Sequence, residues 1–182
     1  MKTLKTIQTL AKIGKVLSCI AFIFACIGFG GSVVGALSAA FGGGFAIKLG
    51  GVTIYDLFGG ARYSELEGVC AALLGWMIVC AGEAVVAKFA ELYFKRELAA
   101  GTPFTLSGAK ELTRLGILTL AVPTGCAVLA AVVSGIAASF LRASEAMDVH
   151  FDNGVSIALG VMFLVAALLC RLGAEQTQVR QA

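Results

Sequence analysis

Few side chains in this sequence could do chemistry, and their spacing narrows what that chemistry could be. Asp148, His150 and Asp152 alternate along the chain, so an extended backbone would turn all three to one face, as a metal-binding strand requires. His150 is the single histidine and no ligand cluster accompanies it, so neither a metal nor any other cofactor is expected. The six cysteines, at 19, 26, 70, 80, 126 and 170, form no Cys-x-x-Cys pair. This argues against the paired-thiol chemistry of membrane oxidoreductases, and the six read as small buried hydrophobes. No nucleophile elbow, phosphate-binding glycine loop or zinc-protease motif occurs in the sequence. No catalytic residue is assigned, and the expectation is a protein that is not an enzyme.

Two features remain. Glu83 is the one acid inside an otherwise apolar run, and an unpaired acid at mid-bilayer costs about 2.5 to 3.5 kcal/mol. It should therefore make an interior contact or, lying five residues before Lys88, snorkel to the interface. The second feature is KRELAAGTPFTLSGAKEL, residues 95–112, where five of eighteen residues are Lys, Arg or Glu although only 14% of the chain is charged. Tyr93, Phe94, Lys95, Arg96, Phe104, Lys110, Glu111 and Arg114 form a candidate partner-binding set around it. Between Lys88 and Arg114 five cations are offset by three acids, a poor phosphate surface that argues against direct nucleic-acid binding.

The elements that carry these residues follow from hydropathy. The chain is 59% apolar with 23 glycines and 2 prolines among 182 residues, far from the composition of a soluble domain. Apolar runs at 16–41, 68–87, 115–140 and 155–172 are each long enough, at about 1.5 Å per helical residue, for a hydrocarbon core of about 30 Å, so the lipid bilayer is the expected surroundings. The expected fold is an all-α membrane protein, a single four-span domain over 1–182. The first run exceeds a secretory-signal core and reads as a retained anchor. Cys26 is no lipoprotein cleavage site, because the bulky Phe24 stands where a small residue is needed.

Cations fix the expected orientation. Eleven of fourteen fall before the first run, between the second and third, or at and beyond the end of the fourth (Arg171 and Arg180); only Lys48, Arg62 and Arg142 fall in the other loops. Both termini and the 95–112 stretch are thus expected in the cytoplasm. Residues 1–15 read either as a surface-lying amphipathic helix or as a solvated basic leader. Gly50-Gly51 between two β-prone segments predicts a small extracytoplasmic β-hairpin over about 45–55. No breaker interrupts 68–100, so the second helix should project beyond the membrane, with Glu91 paired to Lys95. Gly101 to Pro103 then turn the chain into a helix whose apolar side is Leu106, Ala109, Leu112 and Leu115. This is a cytoplasmic helical hairpin extending spans two and three. Gly31 and Gly35 leave room for close helix packing, and the same surface suits a homo-oligomer. Pro123 deprives the Thr119 carbonyl of its partner and should kink the third span.

The four-span layout, GGVTIYDL in the outer loop, AKFAELYFKRELAAGTPFTLSGAKELTRLGI and SIALGVMFLVAALLCRLGAE together resemble the bacterial membrane family catalogued as domain of unknown function 2975. GTPF followed by a short helix entering the third span is the most specific part. The resemblance implies a bacterial cell membrane location and no established activity. Because members are often encoded beside a small helix-turn-helix regulator, it also implies a regulatory role. The leading expectation is a membrane protein whose hairpin engages a cytoplasmic regulatory protein. The alternative is a small transporter, export accessory or immunity-type protein that uses Glu83 and the Pro123 kink.

Overall fold

A computed structural model describes residues 2–41, 48–49, 52–53, 66–100, 106–143 and 154–179. Four helices dominate: α1 Lys2–Ala40, α2 Leu66–Ala100, α3 Leu106–Leu141 and α4 Gly154–Val179. All four are long and apolar enough to cross a membrane. Even α4, with 26 residues, is about 39 Å long, more than the hydrocarbon thickness of about 30 Å.

The helix ends follow local chemistry. The helix α1 holds no proline and stops where Phe41 is followed by three glycines; the Phe41 N–H still donates to the Leu37 carbonyl at 3.1 Å. Residues 2–15 do not form a separate helix: from Lys2 onward they are the first turns of α1. Nothing between Lys2 and Ala40 removes a backbone donor, so once nucleated the helix has no reason to break. Glu67 lies in the first turn of α2, where an acid complements the helix dipole. The helix α3 runs through Pro123 without ending. It stops at Arg142, which adopts φ 56° while the Ala143 N–H donates to the Ala138 carbonyl at 3.0 Å. That is a left-handed helix termination built without glycine.

Between α1 and α2, β1 (Lys48–Leu49) and β2 (Val52–Thr53) pair antiparallel, Lys48 opposite Thr53 and Leu49 opposite Val52. The extracytoplasmic β-hairpin expected over 45–55 is not supported: the described residues hold two rungs, and a lone ribbon is marginal even at full length. The other residues of that stretch, like Phe104 and the 101–105 turn, lie outside the described residues.

The chain divides into two compact units. The first comprises Met1–Phe22, Val85–Pro123 and Asp152–Ala182. Its core is Tyr93, Leu112, Leu115 and Ala167, with Phe94 and Phe163 packed against it. There α3 and α4 approach at a reciprocal glycine pair. A Cβ on Gly116 would stand 2.9 Å from Leu164 Cγ and 3.1 Å from the Gly160 carbonyl oxygen; one on Gly160 would stand 2.6 Å from Leu120 Cγ. Matching Gly116 with Leu164 and Leu120 with Gly160 makes the two helices antiparallel.

The second unit comprises Ile23–Ala84 and Thr124–Phe151. It packs Ala36, Ala39, Val69, Cys70 and Leu73 together, and Cys70 donates to the Ala36 carbonyl at 3.8 Å. Gly35 is buried and Gly31 half-buried here. Ser32 is buried with its hydroxyl satisfied by the Gly28 carbonyl at 2.8 Å. Small residues let helices meet where lipid gives no hydrophobic drive to association. Of the six free thiols, Cys70 and Cys80 are buried as expected, but Cys26 is exposed, which a weakly polar thiol tolerates against lipid.

Candidate functional site

The last turns of α2 and the first turns of α3, both in the first unit, bring most of the candidate partner-binding residues together. The apolar side of α3 holds for Ala109, Leu112 and Leu115, at 4%, 5% and 2% exposure, whereas Leu106 is exposed. Tyr93 meets that side and is buried at 8%. Phe94 stands edge-on to it, ring centroids 5.3 Å apart at 66°, and covers Gly14 of α1, where a Cβ would come within 2.6 Å of the ring. Both aromatics therefore brace the hairpin instead of facing a partner.

The charged residues divide into bound and free. Arg96 Nη1 donates to Glu111 Oε1 at 2.5 Å, tying α2 to α3 across fifteen residues of sequence. Arg114 lies over the Phe89 ring, its Cζ 5.4 Å from the centroid. Glu91 pairs with Lys88 at 2.9 Å, not with Lys95, and Lys88 also stands 5.1 Å from the Phe22 ring of α1. With Lys88 able to serve both the carboxylate and the ring, that geometry outweighs the favoured Glu-to-Lys spacing. Lys95 and Lys110 are exposed, and neither has an ion-pair partner among the described residues.

Between the two helices lies a cavity of about 110 Å³. Arg96, Glu111 and Arg114 form its polar rim, and Phe89, Leu92, Tyr93, Leu115 and Leu118 its apolar wall. Phe89, Leu92 and Leu118 were not legible as site residues, since in sequence they are ordinary apolar positions of long helices. A faint signal existed: Phe89 and Arg96 are seven residues apart, as are Glu111 and Leu118, which puts rim and wall on one face of each helix.

The other candidates lie elsewhere. Glu83 is exposed and has no ion-pair partner among the described residues. Near Pro123, the Thr119 hydroxyl is buried and donates to the Leu115 carbonyl at 2.8 Å. Asp148, His150 and Asp152 lie outside the described residues, and among the described residues no group of side chains could hold a metal ion.

Fold and site together define a helical protein with four membrane-length helices and a braced, charged helical hairpin. No family model, curated protein or solved structure matches the chain, so its function is argued from its own residues.

Proposed function

We propose that this is a non-enzymatic, multi-pass protein of a bacterial cytoplasmic membrane whose helical hairpin docks an acidic surface of a cytoplasmic regulatory protein. Both termini and the hairpin lie in the cytoplasm, the orientation that the eleven-to-three division of cations favours. One observation carries the reading: Lys95 and Lys110 are exposed and, among the described residues, without ion-pair partners, on two helices that the apolar seam of Tyr93 with Leu112 and Leu115 holds together. Charges needed only to set topology require no rigid mounting, whereas a recognition surface gains affinity from being preorganised. The resemblance to domain of unknown function 2975 points to a helix-turn-helix regulator as the partner.

Co-purification of the full chain with that regulator tests the proposal. Reversing both charges (Lys95→Glu with Lys110→Glu) should cut recovery by about tenfold or more, since like-charge juxtaposition costs several kcal/mol. Arginine at both positions should preserve recovery. Equal recovery from the reversed and native chains would end the reading.

A further inference from the structure

We infer that the cavity between the end of α2 and the start of α3 seats the phosphate of an anionic phospholipid headgroup, with Arg114 as its principal ligand. Two guanidinium groups and one carboxylate rim the cavity, so its own charge is two minus one, or +1. Arg114 has no carboxylate partner among the described residues; the Phe89 ring positions it instead. A cation–π contact uses the charge of a guanidinium and leaves N–H donors for a phosphate, which their fork geometry suits. Arg96 is held by Glu111, but the two side chains are 67% and 37% exposed. An ion pair so open to water is weak and yields readily to a stronger anion.

The walls say which anion. Leu92, Leu115 and Leu118 line the same cavity. Phe89 follows the apolar run 68–87 by two residues, and Leu115 and Leu118 open the run 115–140. Charge and hydrocarbon therefore meet within one cavity at the junction of apolar and charged sequence, as they do within a phospholipid at the headgroup boundary. Basic pockets between membrane helices take anionic headgroups for this reason. At about 110 Å³ the cavity far exceeds the ~15 Å³ that a single water needs. A free phosphate would use the arginines but not the apolar wall of Leu92 and Leu118.

The test is native mass spectrometry of the full chain in non-ionic detergent with equal amounts of phosphatidylglycerol and phosphatidylcholine. One phosphatidylglycerol should stay bound in clear preference to phosphatidylcholine. Arg114→Gln should weaken it by about tenfold, the worth of one charge-assisted contact. Leu118→Phe, which narrows the cavity and keeps both arginines, should weaken it as well. Lys12→Gln, which removes an exposed cation of α1 outside the cavity, should change nothing. Inorganic phosphate in large excess should fail to displace the lipid. Circular dichroism checks that each variant keeps its helices, and if Arg114→Gln does not, Leu118→Phe alone decides. Equal retention of the two lipids, native affinity in the variants, an equal loss in Lys12→Gln, or displacement by inorganic phosphate would each overturn the assignment. Because Lys95 and Lys110 do not line the cavity, failure here leaves the docking proposal standing, and the reverse.

Discussion

At the scale of single residues, the hairpin separates side chains that hold it from side chains that decorate it. The Arg96–Glu111 bridge is short but open to water, with side-chain exposures of 67% and 37%. A double-mutant cycle with alanine at both positions should give a coupling below about 1 kcal/mol, read from unfolding in detergent micelles. Tyr93 is 8% exposed and packs on Leu112, Leu115 and Ala167, so Tyr93→Ala should cost about 3 kcal/mol in the same assay. The reverse ranking would mean that the ion pair, and not the apolar seam, joins the two helices. The sequence announced the charged cluster and left its pairings hidden. Spacing along one helix suggested Glu91 with Lys95, yet Glu91 takes Lys88. The Arg96–Glu111 pair spans two helices, and no periodicity within either could reveal it.

At the scale of elements, glycines sort by what stands beside them. Gly160 of α4 has Leu120 Cγ at 2.6 Å and the Gly116 carbonyl oxygen at 3.2 Å from a built Cβ; the leucine can shift only partly and the backbone hardly at all. Gly160→Ala should therefore cost about 1 to 3 kcal/mol, as overpacking does. Gly125 and Gly135 of α3 have nothing within 4 Å, so alanine there should stabilise by about 0.5 to 1 kcal/mol, because it lowers the entropy lost on helix formation. Thermal unfolding of the three variants in one detergent checks both signs, and equal behaviour would remove the close approach of α3 and α4. Arg142→Gly should stabilise by about 1 kcal/mol, since the left-handed φ of 56° penalises any side chain. The existence of these helices was legible because four apolar runs leave the backbone no other way to satisfy its polar groups in lipid. Their packing was less so. Gly31 and Gly35 share one helix and stand out by spacing, whereas Gly116 and Gly160 lie in different helices and become a pair only through tertiary contact. The continuity of α1 through Lys12 and Lys15 was not legible from the lysines, because a charge, unlike proline, removes no helical hydrogen bond.

At the scale of the whole molecule, the exposed apolar side chains suit lipid. Phe24, Phe140, Met162 and Leu168 are 69%, 85%, 67% and 63% exposed, as are many other large apolar side chains along the four helices. Soluble proteins rarely expose apolar patches beyond a few hundred Å². Helices packed through alanine, glycine and serine with such residues outside suit a bilayer. Within it the division of cations argues for the proposed orientation, in which four crossings would return the chain to the side where it began. Cysteine scanning tests this directly. With the six native thiols replaced by alanine, a Ser107→Cys chain should resist a membrane-impermeant maleimide applied to intact cells and react once the membrane is opened, whereas Asp148→Cys should react in intact cells. In the proposed orientation the cations on the cytoplasmic side number eleven against three, so neutralising one or two of them should leave the pattern unchanged. Moving several to the 42–65 loop should invert it, because orientation follows the summed bias of short loops and not any single residue. Labelling of position 107 in intact cells would place the hairpin outside, where no cytoplasmic regulator could reach it. The docking proposal would then fall even if the helices and the lipid-binding cavity were as described.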